Sequence, residues 1–120
     1  MEKVRLEQRQ SFVTADRSSI RELVGLPSGN ASHQSVAEAT VPPGGETVEH
    51  YHRETEEVYL FTSGEGQMRL GDEETEVRAG DTVVIPPGVK HKLWNPTSEP
   101  LVLLCCCAPP YRDEDTVLLD

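Results

Sequence analysis

The fold is decided by residues 44–57, which read GGETVEHYHRETEE. His50 and His52 are two positions apart, so on a β-strand both side chains leave the same face and can converge on one point. Glu57 lies five positions beyond His52, and this odd step would place it on the opposite face of an unbroken strand. Residues 53–56 are therefore predicted to turn or bulge.

Short apolar runs alternate with glycine and proline on both sides of this segment. The predicted strands are residues 35–41, 58–62, 67–70, 74–78, 82–85, 90–94 and 101–107. The breaks between them contain glycine, proline, aspartate or asparagine, which are the usual turn residues. Short strands at this spacing indicate an all-β sandwich or barrel.

Residues 18–23 are the one candidate for a helix. Ser19 and Glu22 have the spacing of a capping box, and apolar residues recur there at helical intervals. Residues 25–27 read GLP, which would end a helix after a short run. An edge strand explains the same stretch equally well, so both alternatives stay open.

Composition limits both size and partners. The chain has 120 residues, with 21 acidic and 11 basic side chains and a formal net charge of -10. This length predicts one domain. The charge excludes nucleic acid as a partner and disfavours an anionic membrane surface. No apolar run approaches the roughly 18 residues of a spanning helix.

The N-terminus and the cysteines both favour the cytoplasm. The first residues alternate charged with apolar side chains and contain no signal-peptide hydrophobic region. Cys105, Cys106 and Cys107 are consecutive and odd in number, which does not suit a disulfide framework. We expect reduced thiols that fill apolar space, with a reactive or metal-binding thiol as the sharper alternative.

Three imidazoles and a carboxylate form a candidate metal site. His50, His52, Glu57 and His91 offer the donors that divalent first-row transition metals bind, with positions left over for water or substrate. Iron, manganese, nickel and zinc all stay open as the cofactor. Glu56 is a substitute ligand should the turn be one residue tighter, and His33 is expected at the surface.

Glycine and proline frame this site at fixed intervals. The first group is Gly44, His50, His52, Glu57 and Gly64. The second group is Gly80, Pro86, Pro87, Gly88, His91 and Asn95. At every one of these positions the chain resembles the two motifs of the cupin superfamily. The flanks, residues 16–23 and 107–116, are also similar to small single-domain bacterial cupins, so the resemblance covers nearly the whole chain.

The resemblance implies a double-stranded β-helix, or jelly-roll barrel, with at most one short N-terminal helix. Residues 1–120 would form a single cupin domain with its barrel core at about 35–108. Residues 1–34 and 109–120 would lie against the barrel or a partner subunit. A metal held by all four ligands would sit at the open mouth. Open sheet edges favour pairing between subunits. Similar cupins are commonly dimers, so the resemblance implies a homodimer.

The resemblance also implies a metal-dependent enzyme acting on a small organic molecule, by dioxygenase-type or by isomerase or lyase chemistry. Glu57, or a hydroxide on the metal, would be the general base. Tyr59 shares strand parity with Glu57, so its hydroxyl could face the cavity and orient the substrate, or it could be a wall residue. The alternative function is a non-catalytic module that binds a carbohydrate or carboxylate through the metal.

Two further expectations concern glycines and acidic neighbours. Gly64, Gly66 and Gly80 are expected to supply positive φ at tight corners, and Asn95 to cap its turn through side-chain hydrogen bonds. Glu54 and Glu56 lie beside the metal ligands in sequence. They would disfavour a highly anionic substrate unless the metal and Arg53 offset their charge.

Overall fold

The computed structural model describes residues 1–119, and β-strands make up nearly all of its regular structure. The strands are β1 (Phe12–Val13), β2 (Ser19–Val24), β3 (Ser35–Val41), β4 (His50–His52), β5 (Glu56–Ser63), β6 (Glu65–Leu70), β7 (Glu73–Arg78), β8 (Thr82–Ile85), β9 (His91–Trp94), β10 (Leu101–Ala108) and β11 (Thr116–Leu118). Two short 3-10 turns complete the set, at Leu6–Gln8 and Asp113–Asp115. Among residues 1–119, no helix has the length and apolar character needed to cross a membrane.

The strands form two antiparallel sheets. One has six strands in the order β1-β2-β3-β10-β5-β8, and the other has five in the order β11-β4-β9-β6-β7. Strands that follow one another along the chain repeatedly change sheet, as β4 and β5 do, so the sheets close around a shared interior. This arrangement confirms the predicted all-β jelly-roll barrel.

Alternating burial along the strands places the core between the sheets. In β5 and β10 every second side chain points inward, which is the period of two that a half-buried strand requires. The fully buried apolar residues are Val41, Phe61, Met68, Val77, Ile85, Leu101 and Leu103. Burying one such large side chain contributes about 1.5–3 kcal/mol, so these residues hold the sheets together.

Residues 18–23 belong to a strand, and the helical alternative is wrong. β2 pairs with β3 over most of its length, from Ser19 opposite Thr40 to Val24 opposite Val36. It also pairs with the two-residue strand β1, so it is not the outermost strand of its sheet. The hydrogen bonds and packing of a paired strand outweigh the local capping signal.

The C-terminal segment lies on the same barrel. β11 pairs with β4, with Thr116 opposite His52 and Leu118 opposite His50. The backbone N–H of Arg53 donates a hydrogen bond of 2.9 Å to the carbonyl oxygen of Asp115. Asp120, the last residue of the predicted tail, lies outside the described residues.

The predicted corners are confirmed with one exception. Gly64 and Gly80 have φ of 80° and 97°. Gly66 does not have a positive φ; it lies within β6, where a Cβ atom would be 2.6 Å from the carbonyl oxygen of Trp94. Glycine is needed at position 66 for close approach of two chain segments, and the expectation of a positive φ was wrong.

Asn95 caps its turn as predicted. Its side-chain amide donates to the carbonyl oxygens of Val41 and Glu99, at 2.9 and 2.7 Å. Its Oδ1 accepts from the backbone N–H and the hydroxyl of Thr97. The residue is 1% exposed, so these bonds satisfy an amide that would otherwise be costly to bury.

Candidate metal centre

Three histidines meet on neighbouring strands of the five-stranded sheet. His50 and His52 point inward from β4, and His91 begins β9 directly opposite His50. All three are buried, and their ligand atoms lie within 4.8 Å of one another. The ring centroids of His50 and His91 are 4.3 Å apart. This cluster of three imidazoles could hold a metal ion.

Glu57 reaches the same cluster from the other sheet. The chain bends at residues 53 and 54, between β4 and β5, and so cancels the odd spacing between His52 and Glu57. The buried Oε1 of Glu57 lies 3.1 Å from Nε2 of His52 and 3.5 Å from Nε2 of His91. The predicted bend is confirmed, and the four predicted ligands lie together.

Hydrogen bonds to the backbone assign the tautomers of His50 and His91. Nδ1 of His50 is 2.8 Å from the carbonyl oxygen of Val48, and Nδ1 of His91 is 3.1 Å from that of Val89. A carbonyl oxygen can only accept, so Nδ1 is the donor in both rings. In the neutral imidazole, Nε2 then carries a lone pair that is free to bind a metal.

A threonine on β11 assigns the third tautomer. The hydroxyl of Thr116 donates to the carbonyl oxygen of Arg112 at 3.1 Å, so it accepts from Nδ1 of His52 at 3.0 Å. Such an outer partner fixes the ring orientation of a metal-binding histidine. In the neutral form of His52, Nε2 is then left with a lone pair, as in the other two rings.

The pKa shifts show which charges the centre favours. Burial acts to raise the pKa of Glu57, but the contacts with His52 and His91 outweigh it and hold the pKa well below its usual range. Burial and the neighbouring His91 lower the pKa of His50, which opposes a proton on its Nε2. A proton on a ring or a cation bound between the groups stabilises an ionised carboxylate beside these imidazoles, and this donor set fits a divalent transition metal.

The buried Nε2 of His91 gives a separate reason to expect a cation at this centre. The residue is 0% exposed, and within residues 1–119 its Nε2 has no hydrogen-bond partner. A buried polar atom without a partner is costly unless another group satisfies it. The same cation that would neutralise Glu57 would satisfy this nitrogen.

The three cysteines are free, and they divide between the two faces of β10. Cys107 lies opposite Glu57 in the strand pair, and its Sγ donates to Oε2 of Glu57 at 3.2 Å. Cys105 lines the cavity, whereas Cys106 lies on the outer face. Burial, followed by the charge of Glu57, raises the pKa of all three thiols. They are protonated at neutral pH, which does not favour the alternative of a reactive thiolate.

Tyr59 faces the interior as its parity with Glu57 predicts. It is 4% exposed, lines the cavity and lies edge-on to His91 with ring centroids 5.8 Å apart. Burial and then the charge of Glu57 raise its pKa, so the hydroxyl keeps its proton. Its hydroxyl makes no hydrogen bond within residues 1–119, which leaves it available as a donor.

The other candidates from the sequence lie elsewhere. Glu56 is exposed, so the tighter turn that would substitute it for Glu57 is not formed. Glu54 is also exposed, and neither residue lines the cavity. His33 is exposed and remote from the cluster, as predicted. Arg53 is exposed and donates to the carbonyl oxygen of Glu114 at 3.0 Å.

Sequence reasoning missed Asp16 as a site residue. It lies in the turn between β1 and β2, and its Oδ2 is 3.8 Å from Nε2 of His50. The backbone N–H of Val48 donates to the carbonyl oxygen of Asp16 at 2.8 Å, which ties this turn to the segment before β4. Asp16 lies 34 positions before His50 and outside both motifs, so no spacing signal could have found it.

A cavity of about 300 Å³ opens beside the histidine cluster. Its walls come from the β1–β2 hairpin, from both sheets and from the C-terminal segment, where Tyr111 lies edge-on to His52 at 5.8 Å. This volume is at the lower end for ligand sites, so it suits a small organic molecule.

A family model described as a cupin domain matches residues 37–107. The chain therefore belongs to the cupin family. An uncharacterized protein of Methanocaldococcus jannaschii is 42% identical over 118 residues, which cover 98% of this chain and 94% of that protein.

Solved structures show the same fold at lower sequence identity. A predicted oxalate decarboxylase of Thermotoga maritima matches with a TM-score of 0.79 and 19% identity, over 90% of this chain and 99% of that chain. PAC13 of Streptomyces with uridine matches with a TM-score of 0.80 and 17% identity, over 100% and 92%. Pac13 is described as a nucleoside dehydratase. At these identities the likeness establishes the jelly-roll fold alone.

Asp115 fixes the bend that brings Glu57 to the histidines. The backbone N–H groups of Glu54 and Thr55 donate to the two oxygens of its buried carboxylate, at 2.9 and 3.1 Å. Burial acts to raise the pKa of Asp115, but these donors outweigh it and lower the pKa below its usual value. The charged form of Asp115 therefore stabilises the fold.

We predict that Asp115→Asn lowers the free energy of unfolding at pH 7 by about 1–3 kcal/mol, because the amide presents a donor to one of the two N–H groups. The folded-state pKa is depressed, so the stabilisation is complete above the unfolded value of about 3.9 and is lost as pH falls through the folded-state pKa. Urea denaturation at pH 7 and pH 3 should show the difference shrinking in acid. Glu114→Gln is the control, since that side chain is exposed; equal losses in both variants would contradict the prediction.

Proposed function

We propose that this chain is a metal-dependent enzyme acting on a small organic molecule. His50, His52, Glu57 and His91 would hold one divalent ion of iron, manganese, nickel or zinc. The observation that carries the proposal is the convergence of three buried imidazoles with the carboxylate of Glu57, whose Oε1 lies 3.1 Å from Nε2 of His52. A divalent ion bound between these atoms would make that contact favourable.

The chain's own groups supply binding, orientation and proton handling. A bound ion would provide Lewis-acid chemistry or, if redox-active, oxygen-dependent chemistry. Glu57 is held at Oε2 by Cys107 and offers Oε1 to the ion or to a proton from the substrate. Tyr59 keeps its proton and would donate a hydrogen bond to a substrate oxygen. Apolar walls would exclude bulk water and strengthen these contacts.

Two reaction classes stay within the proposal. Dioxygenase-type chemistry suits a centre of imidazoles and one carboxylate with open positions, and isomerase or lyase chemistry suits a base beside a protonated hydroxyl. A dehydratase and a predicted oxalate decarboxylase among the proteins of the same fold support a small-molecule substrate. The alternative is a module that binds a carbohydrate or carboxylate through the metal without turnover.

We expect the purified protein to contain about one metal ion per chain, and His91→Ala to weaken metal binding by about 100-fold or more, since it removes a ligand. The measurement is elemental analysis of protein purified without a metal column, followed by titration of the stripped protein. His33→Ala is the matched control, because His33 is an exposed histidine outside the cluster. Metal content that is negligible, or that both variants reduce equally, would refute the metal site.

A substitution of Tyr59 distinguishes a catalytic function from ligand binding without turnover. We expect Tyr59→Phe to lower kcat by about tenfold or more while metal content is unchanged, because a donor to the reacting oxygen is lost. Substrates come from a screen of oxygen uptake by the iron-loaded protein on diketones and phenolic acids, and of isomerisation of hydroxy ketones. Tyr51→Phe is the control, since Tyr51 lies on the opposite face of β4. Tight binding without turnover across the screen would support the binding module instead.

We also propose that residues 1–120 work as one domain in a cytoplasmic homodimer. The three free thiols are typical of a reducing compartment. Outside the barrel, cross-strand pairs of the six-stranded sheet line up an apolar outer patch, consisting of Val36, Val58, Leu60, Val84, Leu104 and Cys106. Val84 is 54% exposed, and a contiguous apolar patch of this kind is typical of an interface.

Analytical ultracentrifugation at micromolar concentration should therefore return a species of twice 13.3 kDa. Val84→Lys places a charge in the outer patch and is expected to shift the protein toward the monomer. Leu26→Lys is the control, because Leu26 is an exposed apolar residue outside the patch. A single monomeric species of the unaltered protein would remove the dimer from the proposal.

A further inference from the structure

Within residues 1–119, the walls of the cavity carry acidic side chains but no lysine or arginine. Four acidic residues line it, Asp16, Glu22, Glu57 and Asp113, whereas no lysine or arginine is among its lining residues in the described part of the chain. Phosphate and carboxylate groups are usually bound by arginine or lysine. A ligand with one or more negative charges would be repelled here wherever it did not touch the metal.

Most of the remaining wall is apolar. The side chains that define it are Phe12, Val13, Ile20, Val41, Leu93 and Leu103. A sugar with a hydroxyl on every carbon would leave most of its polar groups without partners against such a surface. The cavity is instead suited to a molecule whose body is largely hydrocarbon.

Asp16 is the polar exception close to the metal centre. Its Oδ1 accepts hydrogen bonds from the hydroxyl of Thr14 and from the hydroxyl and backbone N–H of Ser18. Its Oδ2 accepts none from residues 1–119 and lies 3.8 Å from Nε2 of His50. At 3.8 Å the two atoms are too far apart for a hydrogen bond between them. A ligand in the cavity would therefore be able to donate a hydrogen bond to Oδ2 of Asp16.

The turn that carries Asp16 is built to hold this orientation. The backbone N–H of Arg17 donates to the carbonyl oxygen of Thr14 at 3.0 Å, and Arg17 adopts a φ of 74°, which is uncommon for a residue with a side chain. With its Oδ1 fully bonded, the carboxylate cannot rotate without losing three donors. Oδ2 is therefore a fixed acceptor at the cavity wall.

We propose that the cavity selects an uncharged, largely apolar small molecule that carries a hydroxyl group, and that Asp16 is the specificity-determining residue that accepts this hydroxyl's hydrogen bond. The inference rests on the proposed function, because the hydroxyl would lie beside the metal ligand His50. An ammonium donor is disfavoured at the same place, since a divalent ion would repel it. Phosphorylated and multiply carboxylated compounds are rejected by the acidic walls.

Equilibrium binding to the purified, metal-containing protein tests the inference. Isothermal titration calorimetry compares 2-hydroxyacetophenone with acetophenone, which lacks the hydroxyl, with mandelate, which adds a carboxylate, and with dihydroxyacetone phosphate. We expect 2-hydroxyacetophenone to bind about tenfold more tightly than any of the others, because a site built to accept a hydroxyl discriminates against ligands that lack it. Tighter binding of mandelate or of the phosphate would overturn the inference.

Asp16→Asn tests the residue itself. Its amide group would put a donor where Oδ2 lies, so the preference for the hydroxyl compound over acetophenone should fall by about tenfold while metal content is unchanged. Asp113→Asn removes another acidic wall residue, which is exposed, and should keep the preference within about twofold. An unchanged preference in Asp16→Asn would overturn the assignment. If that variant does not fold, the order of the four ligands on the unaltered protein decides.

Elemental analysis of the same preparations distinguishes a failure of the proposed metal centre from a failure of the selection by Asp16. Protein that holds no metal but prefers the hydroxyl compound would refute the proposed function and support the selection by Asp16. Protein that holds metal but prefers mandelate would refute the selection and leave the metal centre standing. Turnover is not required for either reading.

Discussion

A buried carboxylate that faces three buried imidazoles is the constraint around which this barrel is organised. Glu57 comes from the six-stranded sheet, and His50, His52 and His91 come from the five-stranded one. In neighbouring strands His50 lies opposite His91, His52 opposite Thr116 and Glu57 opposite Cys107. Since a slip of one residue would turn each side chain to the other face, the strand registers hold the centre together.

The features of the fold and of the candidate site that depend on local spacing could be predicted from the sequence. The period of two along the strands and the turn residues between them were sufficient for the barrel, for the bend after His52 and for Asn95 as a cap. They could not predict Asp16 or Thr116, because those contacts depend on which strands become neighbours across the sheets. Gly66 shows the same limit. A positive φ at a corner was predicted for it, but it lies within β6, where the lack of a Cβ atom lets the backbone of Trp94 approach closely.

The residues that match the family model and the residues that line the cavity overlap only in part. Residues 37–107, which match the cupin model, contain all four candidate metal ligands and Tyr59. Asp16, Phe12 and Tyr111 line the cavity from outside that range. Because acidic neighbours in sequence such as Glu54 and Glu56 point to solvent, local composition misled about which charges a ligand would meet. The cavity is therefore lined in part by residues outside the segment that carries the candidate ligands.

The hydrogen bond between His52 and Thr116 spans 64 positions of the chain, and that between Cys107 and Glu57 spans 50. Contacts this distant form late in folding, because the entropy of closing large loops must be overcome first. The hydrogen bond to Thr116 that orients the imidazole of His52 forms only when β11 has joined β4. A growing chain would therefore expose histidines that are not yet organised as a cluster, and any ion held by the cluster would bind after the barrel has closed.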